Sequence, residues 1–137
     1  MKNAKQQRSP APSGEAIRYL NNAKGILRKA PREGHIYTDT KPVREACGTA
    51  YLAVLEAINE YLLTRGLSRK ELPKSFEQYQ QALRKHISVH NGKLFREFNV
   101  LYDMLHIAGY YRGLLGDVVV VRDVFNSTQQ FISKIGK

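Results

Sequence analysis

Between Leu94 and Arg112 apolar side chains return every three or four residues, a spacing that a long helix satisfies and a strand does not. At about 100° per residue, Leu94, Phe98, Leu101, Leu105 and Ala108 gather on one side and form a core face. Asn99, Asp103, His106 and Tyr110 line up as a second row, well away from the first. In no other row do polar groups able to do chemistry recur at helical spacing.

The same period organises the rest of the chain. Ser13 is placed to cap a first helix, with Glu15 in its positive first turn. Ile17, Leu20, Ala23, Leu27 and Ala30 are its apolar stripe, and Pro31 stops it. Residues 34–40 form a connection, and Asp39 or Thr40 caps a second helix reaching about Arg65, where Gly66 ends it. Val43, Cys47, Ala50, Val54, Ala57, Ile58, Tyr61 and Leu62 give that helix a broad buried face. Its small run Cys47-Gly48-Thr49-Ala50 lets a neighbouring helix come close, and Cys47 reads as a small core residue on that face.

Ser68 with Glu71, and Ser75 with Gln78, have capping-box spacing, the first for one helical turn and the second for a third helix. Phe76, Tyr79, Leu83 and Ile87 form the third helix's stripe until Asn91-Gly92 breaks it. After the Leu94–Arg112 helix, Gly113 and Gly116 punctuate a turn, and Asp117 caps a last helix. Val118 to Val121 is β-prone, but Val118, Val121, Phe125, Thr128, Ile132 and Ile135 share one helical side, widened by Val124 and Phe131, and no partner strand is evident. The expected fold is all-α: an up-and-down helical bundle of four main helices plus an additional helix.

Composition narrows the class of function. A chain of 137 residues suits one domain, with residues 15–137 as the bundle and residues 1–14, rich in Lys, Gln, Ser and Pro, as a flexible basic arm. A single cysteine excludes an internal disulfide, and the N-terminus has no apolar run, so a cytoplasmic protein without a membrane span is expected. The formal charge of +10 is uneven. Residues 1–14 carry +3, residues 15–32 carry +4, and residues 33–137 carry only +3. Lys24, Arg28 and Arg32 repeat at four-residue spacing on the first helix, either as a solvated basic face or as one that binds anions or nucleic acid, with Tyr19 beside it and Tyr37 able to stack on a base.

His86 and His90 stand four apart, but no third ligand accompanies them, so no metal site is expected. No Walker or Rossmann glycine pattern and no nucleophile–base pairing is present, and no cofactor is expected. The Asn99, Asp103, His106, Tyr110 row reads two ways. It is a half-exposed polar face, bonded to neighbouring helices or a second subunit; or His106 is an acid/base oriented by Asp103, with Asn99, Tyr110 and Arg112 as ligand-binding candidates. Tyr102, Tyr110 and Tyr111 on one helix also suit an aromatic interface with a second copy or another protein.

A first helix carrying Arg18-Tyr-Leu-Asn-Asn-Ala-Lys-Gly-Ile-Leu27, a long second helix carrying Ala46 to Leu63, a glycine-ended linker, a shorter helix and a fourth closing on His106-Ile-Ala-Gly-Tyr-Tyr-Arg-Gly113 together resemble the HEPN superfamily over roughly residues 15–135. The layout is also similar to small bacterial families of helical bundles. The resemblance implies a bundle that pairs, a partner of a nucleotidyltransferase or a member of a toxin–antitoxin-type system. HEPN ribonucleases carry an arginine four to six residues before a histidine. Here Arg96 lies nine intervening residues before His106, and Asn99 holds the six-residue spacing. An amide lacks the permanent cation that stabilises a developing phosphorane. The expectation is therefore a binding or interaction module, with a HEPN-type ribonuclease and an RNA- or anion-binding protein as alternatives.

Overall fold

The computed structural model describes residues 13–87 and 92–135. The arm up to residue 12, the capping side chain of Ser13, and the His90 and Asn91 on which a histidine pair and a chain break were expected lie outside the described residues. Helix α1 spans Ser13–Arg28, and two short strands follow, β1 Arg32–Glu33 and β2 Ile36–Tyr37. Helix α2 spans Thr40–Thr64, and a single 3-10 turn, Arg69–Glu71, precedes α3. Helix α3 is an α-helix over Phe76–Ala82 that continues as a π-helix over Leu83–Ile87. Helix α4 is likewise α-helical over Lys93–Leu101 and π-helical over Tyr102–Tyr111, and α5 spans Val118–Ile135. The described residues thus form an all-α bundle of five helices.

Local chemistry sets the helix starts. Asp39 accepts the Lys41 N–H at 3.0 Å, Ser75 accepts that of Gln78 at 3.2 Å, and Asp117 accepts those of Val119 and Val120 at 2.8 and 3.1 Å. The turn at Ser68 is closed by its own N–H donating to Glu71 Oε1 at 2.7 Å. The Val118–Val121 run is helical because Val118 and Val121 share the buried side with Val124, Phe125, Thr128, Phe131, Ile132 and Ile135. Packing against the bundle outweighs β-propensity there.

Helix α2 is the axis of the fold. It buries Val43, Ala46, Cys47, Ala50, Ala53, Val54, Ala57, Ile58 and Leu62, packs along α1 on one side, and meets the π-helical half of α4 and helix α5 on others. A helix with so broad a buried face, packed by neighbours on several sides, belongs in the centre. Val43, Val54, Ile58 and Leu62 each stabilise the bundle by about 1.5–3 kcal/mol relative to exposure. Phe98, Leu101 and Leu105 of α4 close the core from the far side, as the helical period predicts.

Two features differ from expectation. The connection before α2 holds an antiparallel strand pair, with Arg32 opposite Tyr37 and Glu33 opposite Ile36. It lasts because α5 completes it: Ile36 bridges to Asp117, the Tyr37 N–H donates to Gly116 O at 2.9 Å, and the Val118 N–H donates to His35 O at 2.7 Å. Helix α4, expected as regular, widens into a π-helix from Tyr102, and i→i+5 closure brings residues five apart into register as well as those four apart.

Candidate functional site

The π-helical half of α4 packs on α2 where the side chains of α2 are small. A Cβ added to Gly109 would lie 2.7 Å from Cys47 Sγ, and one added to Gly48 would lie 2.8 Å from the Tyr110 ring. Each glycine thus lets a side chain of the facing helix lie against its backbone, the close approach that the small run on α2 suggests. Arg44, one turn before Gly48, holds the end of the π-helix. Its Nε donates to Tyr110 O at 2.9 Å and its second guanidinium nitrogen to Tyr111 O at 2.8 Å. These carbonyls have no helical partner of their own, and a cation suits the negative end of the helix. Gly113, at φ 62°, then turns the chain in a conformation other residues rarely adopt, while Arg44 Cδ fills the space where a side chain would stand.

The consequence is an aromatic stack centred on His106. Its ring lies 5.0 Å from Tyr51, 5.4 Å from Tyr102, 6.0 Å from Tyr110 and 6.1 Å from Tyr111. Phe76 of α3 continues the stack at 3.8 Å from Tyr102. Tyr110 and Tyr111 both reach His106 because the π-helix presents positions i+4 and i+5 together. A cleft of about 510 Å³ opens beside it, lined by Glu45, Gly48, Thr49, Leu52, Leu55 and Tyr110 among others. Tyr51 at its base is buried, and its hydroxyl is held above the ordinary tyrosine range first by that burial.

The four residues of the polar row separate in this setting. Tyr110 and His106 lie together in the stack, whereas Asp103 is exposed and makes no hydrogen bond or ion pair with His106 among the described residues. The wider helix rotates position i−3 off the face of i. Asn99 Oδ1 accepts from Gln80 Nε2 at 2.9 Å and ties α4 to α3. Arg112 is exposed just past the helix end, where its N–H donates to Ile107 O at 2.8 Å. Arg96 lines a different cleft, with Glu97, Val100 and Lys134. Among the described residues no group of three or more His, Cys, Asp or Glu side chains is placed to hold a metal ion. Cys47 is fully buried, and desolvation pushes its thiol up to about 12, so it stays protonated and inert.

The basic row comes together with residues that sequence periodicity does not connect to it. Lys24, Arg28 and Arg32 line a cleft of about 480 Å³ with Tyr37 and with Val118, Arg122 and Phe125 of α5. Tyr37, expected as a stacking residue, belongs to this cleft, while Tyr19 lines another groove. Arg122 carried no signal in the sequence, because it lies 90 residues from Arg32 and the packing of α1 and the hairpin against α5 brings both to one cleft.

No described helix is long and apolar enough to cross a membrane. The solved structure of a protein of unknown function from Dyadobacter fermentans is similar, with 32% sequence identity over 91% of this chain and 92% of that one and a TM-score of 0.74. No curated protein matches the sequence. Residues 11–137 match the family described as a domain of unknown function, DUF5618, and the chain, covered almost from end to end, belongs to that family.

Proposed function

We propose that this protein is a non-catalytic interaction module that pairs with a second copy of itself through the aromatic end of α4. The carrying observation is exposure: Tyr111 is 68% exposed, Leu52 48% and Tyr110 45%, with Leu52 and Tyr110 lining one cleft and the Tyr110 and Tyr111 backbone clamped by Arg44. Large apolar side chains fixed in water gain when a partner covers them, and tyrosine is favoured at such surfaces. A two-fold pairing uses the same patch twice, so one compact patch suffices. In this reading His106 is a stacking group that stiffens the interface, not a general base. The HEPN-like order of helices, in which later helices of two copies meet, supports pairing and extends the reading to partnership with a nucleotidyltransferase.

Light scattering on the intact chain tests it. The wild type is expected at twice its 15.6 kDa mass, and Tyr111→Ser combined with Leu52→Ser at the monomer mass with an unchanged helical circular dichroism spectrum. A wild type that remains monomeric at every concentration reached would sink the reading.

A further inference from the structure

The cleft between α1, the hairpin and α5 concentrates charge in a way no structural role explains. Lys24, Arg28, Arg32 and Arg122 arrive from three separate elements, and no carboxylate is among the residues lining it. Lys24 Nζ donates to Gln129 Oε1 at 2.6 Å, but the side chains of Arg28, Arg32 and Arg122 make no hydrogen bond or ion pair among the described residues. Like charges gathered around one concavity repel, and an anion entering it relieves that repulsion. Guanidinium groups suit phosphate in particular, since each presents two parallel N–H donors to two phosphate oxygens. The floor is of a different character: Val118 and Phe125 are buried, Leu27 is half-buried, and Tyr37 stands beside them, its hydroxyl raised by burial and under the opposing influence of Arg32 and Arg122. At about 480 Å³ the space is that of a small organic ligand.

We propose that this cleft binds an organic diphosphate ester, with the diphosphate held by Arg28, Arg32, Arg122 and Lys24 and the apolar body laid over Val118, Phe125 and Tyr37. A single phosphate would leave cations of the rim unanswered, and an inorganic anion would leave the apolar floor in water. The body is the flat ring of a nucleotide or the hydrocarbon of an isoprenoid, and both share the chemistry that the cleft recognises. This site is separate from the aromatic end of α4 and does not depend on pairing there.

Calorimetric titration of the full chain with ADP, with geranyl diphosphate and with inorganic pyrophosphate tests the assignment. At least one ester is expected to bind about tenfold or more tightly than pyrophosphate, and the ester that does so identifies the body. Arg122→Gln and Arg32→Gln, both at exposed positions, are expected each to weaken that ester by about tenfold or more, the scale of a lost charge-assisted bond, with the melting temperature unchanged. Arg69→Gln removes the same charge outside the cleft and is expected to leave binding within about twofold. No ester binding, no preference over pyrophosphate, or equal weakening by Arg69→Gln and Arg122→Gln overturns the proposal.

Discussion

Glu60 carries the most consequential single ionisation in the bundle. It is 4% exposed on α2, its Oε2 accepts the Glu15 N–H at 3.0 Å, and its Oε1 has no partner among the described residues. It thus satisfies one of the orphan donors at the start of α1 from a neighbouring helix. Burial, opposed by that hydrogen bond and assisted by the Glu56 and Glu15 carboxylates, pushes its carboxyl from the ordinary 4.5 up to about 7. The folded chain therefore keeps a proton that the unfolded chain releases between these values. Stability is greatest below pH 4.5 as far as this group is concerned, falls as pH rises towards 7, and levels off above it. Glu60→Gln, neutral throughout, is expected to flatten that slope and to exceed the wild type at pH 8 by an amount on the order of 2 kcal/mol. Denaturant melts at pH 5 and pH 8 check this; identical pH slopes in the two proteins would count against it.

At the scale of elements, the contact between α2 and the π-helical half of α4 has no room to spare. Gly109→Ala places a methyl group within 2.8 Å of Cys47 Cβ and 2.7 Å of its sulfur, and both helices are committed elsewhere. The cost is expected to be about 1–3 kcal/mol, the usual penalty of overpacking, read as a lower urea midpoint. Loss of the Tyr110 and Tyr111 stacking signature in near-ultraviolet dichroism should accompany it. Cys47→Ala in the same background is expected to recover part of the loss by making room; a double variant less stable than either single one contradicts this packing account. The small run Cys47-Gly48-Thr49-Ala50 was legible as a site of close approach. The π-helical register of α4 beside it was not, because nothing in the spacing of Tyr102 to Tyr111 distinguishes i→i+5 from i→i+4 closure.

Across the whole molecule, stability is expected to follow distance from α2. Ile58→Ala empties a fully buried position and should cost about 2–5 kcal/mol, whereas Lys41→Ala, at an exposed position of the same helix, should stay within about 0.5 kcal/mol. Thermal melts of the two variants measure the contrast, and equal losses would show that the exposed position is structural after all. The same contrast separates the two surfaces given a role. The α4 end exposes aromatic and aliphatic groups, and the α1–α5 cleft exposes guanidinium groups over an apolar floor, so changes at either are expected to alter association or binding before they alter folding.

Helix number, helix order and most helix starts could be derived from the sequence because they depend on near neighbours. Asp39, Ser75 and Asp117 cap residues two or three positions away, and the α5 stripe follows from a period of 3.6. Only the tertiary structure decided the rest. Asp103 parts from His106 because packing against Cys47 and Gly48 goes with a wider helix, Glu60 serves a helix 45 residues away, and Arg122 shares a cleft with Arg32 because α1 and a two-strand hairpin pack against α5. Each of these depends on how far apart groups lie in space, and spacing along the chain carries that information only within a single element.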